Sequence, residues 1–158
     1  NMSAMTTLRL AHDVQNIIGI KEASGDLDQV ATILSDAPEG FHVWSGNDSD
    51  TFGIISIGGW GVISVAAHLV GRQISRMIEL TVEGNLADAA AEHERLLPMA
   101  TGLFVITSPI PVKYCLNRTG FSVGGLRLPL VSADLETADF LDEMLAAYQI
   151  DLATTTSA

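Results

Sequence analysis

Lys21 closes the run Ile17-Ile18-Gly19-Ile20-Lys21-Glu22. Side chains alternate along a strand, so Ile17, Gly19 and Lys21 share one face and Ile18, Ile20 and Glu22 the other. A lysine at the end of an apolar strand is unusual, because lysine is almost never fully buried unless paired. A free lysine amine has a pKa of about 10.4 and is a poor nucleophile at neutral pH. Apolar surroundings disfavour its charged form. The neutral amine can then add to a ketone and form an imine. Once protonated, that imine is an electron sink, so a neighbouring carbon can lose a proton and become an enamine nucleophile. Gly19, on the same face, is expected to leave space beside the amine. The pattern also fits a lysine that snorkels at the strand end or pairs with Glu22, although the opposite facing of Glu22 weakens that pairing. The strand pattern alone leaves both readings open.

Other chemistry-bearing residues form weaker patterns. His12, His42, His68 and His93 are scattered and lack the clustering of a zinc site, so no metal is expected. His68 follows an apolar run and is the one histidine expected near a pocket mouth. Asp48 and Asp50 lack the glycine and closing glutamate of a calcium loop, which leaves helix capping as their role. Gly58-Gly59-Trp60-Gly61 precedes a strand, whereas a dinucleotide fingerprint follows one, so a tight turn explains it. Trp60 is read as a packing residue. Asn117-Arg118-Thr119 fits a glycosylation sequon, which has no bearing on a cytoplasmic chain.

The elements that would carry these residues alternate. Three short runs, 17–22, 41–45 and 61–65, are rich in β-branched or aromatic residues and read as buried strands. Helical patterns lie at 3–12, at 26–34 with Asp26 as cap, and at 48–57. Strand, helix, strand, helix, strand at a spacing of about 20–25 residues means parallel βαβ units. Beyond them, 71–83, 86–104, 111–117 and 135–148 read as helices, and 120–129 as a loop. Residues 1–70 form the strand unit, 71–150 the trailing helices and 151–158 a flexible tail, small and polar from Thr154 to Ala158. Three parallel strands leave two open edges and uncovered apolar faces, so the sheet is expected to belong to a larger one.

Composition narrows the partners. Of 158 residues, 47% are hydrophobic and 17% charged, and the mean hydropathy of +0.32 suits a sheet buried on both faces. Eight basic against 19 acidic residues give a net charge of −11, which argues against nucleic acid and anionic lipid. No apolar run reaches the roughly 20 residues that cross a bilayer, and the amino terminus lacks a signal-peptide pattern. A single cysteine, Cys115, excludes a disulfide framework. The reading is a cytoplasmic protein.

Four ordered motifs carry a resemblance. They are Gly19-Ile20-Lys21-Glu22-Ala23-Ser24-Gly25, then Trp44-Ser45-Gly46-Asn47-Asp48, then Gly59-Trp60-Gly61-Val62-Ile63-Ser64-Val65. The last is Pro109-Ile110-Pro111-Val112-Lys113, followed by Leu126-Arg127-Leu128-Pro129-Leu130. In order and spacing, from about residue 2 to 150, the chain resembles the dihydrodipicolinate synthase / N-acetylneuraminate lyase family. The resemblance implies an α/β fold, the carboxy-terminal half of a (β/α)8 TIM barrel, with strands six to eight and trailing helices. It makes Lys21 the Schiff-base lysine, lines the pyruvate site with Gly46, and sets Ile63 against bound pyruvate. Ser45, Asn47 and Asp48 would sit where the second substrate approaches. The substrates implied are pyruvate and an aldehyde, with aspartate semialdehyde, on the route to lysine, favoured by the last motifs. No cofactor beyond the covalent lysine imine is implied. A homo-oligomer, a tetramer in the family, is also implied.

The sequence departs from the family in several places. The strand-five motif with its proton-relay tyrosine should precede Asn1. So should the threonine pair that holds the pyruvate carboxylate, and the residues that bind feedback lysine. Tyr114 and Tyr148 lie in the trailing helices and cannot replace the relay. Ser108 stands where many synthases carry Asn. The chain alone is expected to be catalytically incomplete, needing an amino-terminal half-barrel from a separate chain, a missing segment or a second copy. The alternatives are a sibling aldolase or dehydratase of the N-acetylneuraminate lyase type, and a non-catalytic half-barrel subunit.

Overall fold

Local signals start the first helices. Ser3 accepts the Thr6 N–H at 3.3 Å and opens α1 (Ala4–Asp13). Asp26 accepts the N–H groups of Asp28 and Gln29, both at 3.0 Å, and opens α2 (Leu27–Asp36). Each cap satisfies amides that the helix itself leaves unpaired. In α2, Val30 and Ile33 fall on one face and are almost wholly buried.

In this computed structural model, which describes residues 1–151, α2 connects β1 (Gly19–Glu22) to β2 (His42–Ser45). A 3-10 turn at Asp48–Asp50 and a short α3 (Thr51–Ser56) then lead to β3 (Gly61–Val62). The sheet is parallel, in the order β1-β2-β3. Lys21 pairs with Trp44, Glu22 with Ser45, and Trp44 with Gly61. One face meets the crossover helices, where Val30, Ile33, Val43 and Ile54 form a buried cluster with Ile20 and Phe41 against it.

Four further helices follow: α4 (Ala67–Val82), α5 (Leu86–Gly102), α6 (Ile110–Arg118) and α7 (Leu135–Ala146). They enclose a larger core that includes Leu69, Met77, Met99, Leu103, Cys115 and Leu141. Phe52, Val62 and Val65 pack against that core, joining the strand unit to the trailing helices. The Phe52 ring stacks on His93 with centroids 5.4 Å apart.

Four sequence expectations are corrected. The third strand is two residues long and not five, because beyond Ile63 the Val65 and Ala66 N–H groups turn away from the sheet toward the Asp48 carboxylate. The expected helix over 48–57 is a 3-10 turn followed by α3. The fourth helix starts earlier, at Ala67, and Val70 leaves helical geometry (φ −129°, ψ 35°) within it. Asp151, assigned to the tail, is anchored: its N–H donates to Leu69 O at 2.8 Å, and its carboxylate accepts the N–H groups of Arg72 (2.8 Å) and Gln73 (3.3 Å). It thereby caps the helix that resumes after Val70. The rest of the expected tail, residues 152–158, lies outside the described residues.

Candidate active site

The face of the sheet that turns away from the helices carries Gly19 and Lys21 on β1, His42 and Trp44 on β2, and Gly61 on β3. Alternation places Ile63, just past β3, on the same face; its N–H donates to Ser45 O at 2.9 Å. This face is open. Lys21 is exposed, Ile63 is 50% exposed and Trp60 62%. The buried strand end expected for Lys21 is therefore not formed by the described residues: three strands cover the helix side, and nothing among them covers the other.

The space expected beside the lysine is also filled. The Trp44 ring lies over Gly19, so a Cβ there would clash with it. His42 meets the Trp44 ring edge-on at 5.6 Å and lies 4.0 Å from Trp60, centroid to centroid. Trp60 thus packs on an aromatic neighbour while much of its ring stays exposed.

The turn after β2 comes closest to the lysine. Gly46 N–H donates to Glu22 O at 2.6 Å, and a Cβ on Gly46 would be 3.1 Å from Lys21 Cε. Ser45 is buried and donates its hydroxyl to Asn47 O at 2.6 Å. Asn47 donates its amide to Asp50 Oδ2 at 2.8 Å. The sequence-predicted residues Lys21, Gly46, Asn47 and Ile63 thus gather at the carboxy-terminal ends of parallel strands, where α/β barrels collect ligands.

Asp48 and Ser45 do not reach this space. Asp48 is 8% exposed, and both of its oxygens are engaged by Ser64, Val65 and Ala66. Ser45 faces the helices with Val43. His68 is exposed at the start of α4, in a depression it shares with Arg72, Ser75, Glu79 and Asp151.

Sequence reasoning weighed Glu22 only as a partner for Lys21. It is 4% exposed, and its carboxylate accepts the Ser24 N–H at 2.7 Å and the Gln29 amide at 2.9 Å. Burial pushes its pKa up, but the hydrogen bonds from Ser24 and Gln29 outweigh that and leave it below the ordinary carboxylate value. Glu22 so fixes the turn after Lys21. The signal was present in the sequence: the side chain alternates onto the helix face, where an acid needs partners.

A separate cavity of about 210 Å³ lies between α6 and the following loop, lined by Lys113, Tyr114, Arg118 and Leu126. Its cations are engaged, Lys113 by Gly125 O and Arg118 by Asp142 at 2.7 Å. Among the described residues no group of three His, Cys, Asp or Glu side chains could hold a metal. No described helix is long and apolar enough to cross a membrane.

Parallel strands joined by helices, with a lysine at a carboxy-terminal strand end beside a glycine turn, define an α/β protein with a three-stranded parallel sheet. Residues 1–148 match the model of the Dihydrodipicolinate synthetase family, and the chain belongs to that family. It is 52% identical over 152 residues to a 4-hydroxy-tetrahydrodipicolinate synthase of Dehalococcoides mccartyi, covering 96% of this chain and 51% of that protein. It is 53% identical over 146 residues to the synthase of Symbiobacterium thermophilum, covering 92% and 50%. Among solved structures, the dihydrodipicolinate synthase of Cyanidioschyzon merolae with lysine bound superposes with a TM-score of 0.90 at 40% identity, covering 93% of this chain and 50% of that one. The synthase from Aquifex aeolicus gives 0.90 at 34%, covering 96% and 52%. The chain spans about half the length of the curated relatives it matches.

Proposed function

We propose that this chain supplies strands six to eight of a (β/α)8 barrel that condenses pyruvate with aspartate semialdehyde, the 4-hydroxy-tetrahydrodipicolinate synthase reaction of lysine biosynthesis. The observation that carries the proposal is the placement of Lys21 at the carboxy-terminal end of β1, with its Cε against the Gly46 turn. The relatives' names support the choice of substrates. The open face of the sheet supports a partner: a five-stranded β/α complement would cover Lys21, Trp44 and Ile63 and complete an eight-stranded barrel. A cytoplasmic homo-oligomer is the setting this reading implies.

In the proposed reaction the amine of Lys21 adds to the keto carbon of pyruvate and water leaves, giving an imine. Loss of a methyl proton from the protonated imine gives the enamine, whose terminal carbon attacks the aldehyde. The chemistry needs no metal or nucleotide. Gly46 keeps the approach to the lysine free of a side chain, and Ile63 supplies an apolar wall. The relay tyrosine and the carboxylate-binding threonines would come from the complement.

Borohydride trapping tests the proposal. The assembled barrel is incubated with pyruvate and reduced, and the Lys21 peptide is analysed by mass spectrometry. A pyruvate-derived adduct on Lys21 is expected, and Lys21→Ala should lose it. An assembled barrel without the adduct would leave the non-catalytic subunit as the better reading. Turnover with aspartate semialdehyde, measured against sugar-derived aldehydes, separates the synthase from a sibling aldolase.

A further inference from the structure

The resemblance places Asp48 beside the second substrate, but its geometry suits a different task. One carboxylate oxygen accepts the Ser64 hydroxyl. The other accepts the backbone N–H groups of Val65 at 3.0 Å and Ala66 at 3.1 Å. The Ser64 hydroxyl oxygen in turn accepts the Ala67 N–H at 2.7 Å. A buried carboxylate thus gathers donors from three consecutive residues, 64–66, that lie between β3 and α4 and 16 to 18 residues away in sequence. Hydrogen bonds to a charged acceptor are roughly twice as strong as neutral ones, and a helix start favours negative charge.

The effect falls on Ile63. Its N–H is held by Ser45 O at 2.9 Å, and the three residues after it are held by Asp48. Asp48 itself lies three residues beyond Ser45, so one turn controls the strand end from both sides. Without the carboxylate, the Val65 and Ala66 N–H groups and the Ser64 hydroxyl would lose their acceptor, which loosens the segment that follows Ile63.

We propose that Asp48 is a positioning residue: an internal anion that clamps residues 64–66 and so fixes Ile63 on the face it shares with Lys21. The consequence for catalysis rests on the synthase reading above, whereas the clamp itself does not.

The test has two arms. In the 158-residue chain, hydrogen exchange is followed at the Val65 and Ala66 amides. Asp48→Asn is expected to speed both about tenfold, since bonds to a charged carboxylate become weaker bonds to a neutral amide and one of the two acceptor oxygens becomes a donor. In the assembled barrel, Asp48→Asn should raise KM for pyruvate about tenfold, or about 1.4 kcal/mol of binding, while kcat changes less than about threefold. Borohydride should still trap Lys21 at saturating pyruvate. Ser64→Ala keeps both N–H bonds and should move the same quantities less, which keeps the test decisive if Asp48→Asn does not fold. Unchanged exchange at Val65 and Ala66 in Asp48→Asn overturns the clamp; where that variant does not fold, a Ser64→Ala chain in which neither exchange nor the pyruvate KM moves overturns it. A rise in the aldehyde KM alone, with pyruvate KM and exchange unaltered, returns Asp48 to a substrate contact. If the unsubstituted barrel traps no pyruvate, the synthase reading fails while the exchange arm still decides the clamp.

Discussion

Gly46→Ala should injure both the stability of the chain and the chemistry of Lys21. A Cβ at this position would stand 2.6 Å from the Ala23 Cβ, and 3.1 Å from both Glu22 O and Lys21 Cε. Ordinary contact begins at 3.4 Å, so Ala23 must retreat by about 0.8 Å. That methyl is fixed to the backbone of the turn after β1, and Gly46 N–H is tied to the same turn through Glu22 O at 2.6 Å. The cheap adjustment is the lysine chain, but moving it displaces the amine. Overpacking of this kind costs about 1–3 kcal/mol. With a urea dependence of roughly 2 kcal/mol per molar, the unfolding midpoint should fall by about 0.5–1.5 M. Pyruvate trapping on Lys21 in the assembled barrel should slow by about tenfold or more, because small misplacements of a nucleophile are costly. Gly53→Ala is the control. Its Cβ would meet only the Leu27 methyls, at an acceptable 3.5 and 3.8 Å, and alanine suits the interior of α3. If Gly46→Ala leaves the midpoint within about 0.2 M of the parent and traps pyruvate equally fast, the packing argument and the contact between Gly46 and Lys21 are wrong.

Two further predictions concern pH. The Glu22 pKa is lowered by folding, so its contribution is present above the ordinary value of 4.5 and lost as pH falls through the depressed folded value. Urea midpoints from pH 6 down to 3 should show this acid loss in the parent, and Glu22→Gln should flatten it. Burial raises the Cys115 thiol from 9.0 to about 12. The unfolded thiol ionises first, so stability is lost as pH rises above 9 and on toward 12. Cys115→Ala should be less stable overall but show a shallower alkaline decline, and the native thiol should resist disulfide reagents at pH 8 until the chain is unfolded.

Much of this protein is written locally. The helix caps Ser3 and Asp26 work through amides two or three residues away, so spacing alone places α1 and α2. Alternation along residues 17–22 puts Lys21 and Glu22 on opposite faces, as found. The motifs around Lys21, Gly46 and Ile63 led directly to the family. Other features depend on residues brought together from a distance. The Asp48 carboxylate serves residues 64–66 and not its own turn, because the parallel register of β2 and β3 carries Ser64 to it. The Trp44 indole fills the space above Gly19 because Gly19 and Trp44 lie diagonally on adjacent strands. Asp151 caps α4 from 79 residues away. Periodicity and capping report what a residue does within one helical turn or one strand. Which face of the sheet is covered, and which acceptor meets which donor across it, is decided only when the strands are in register.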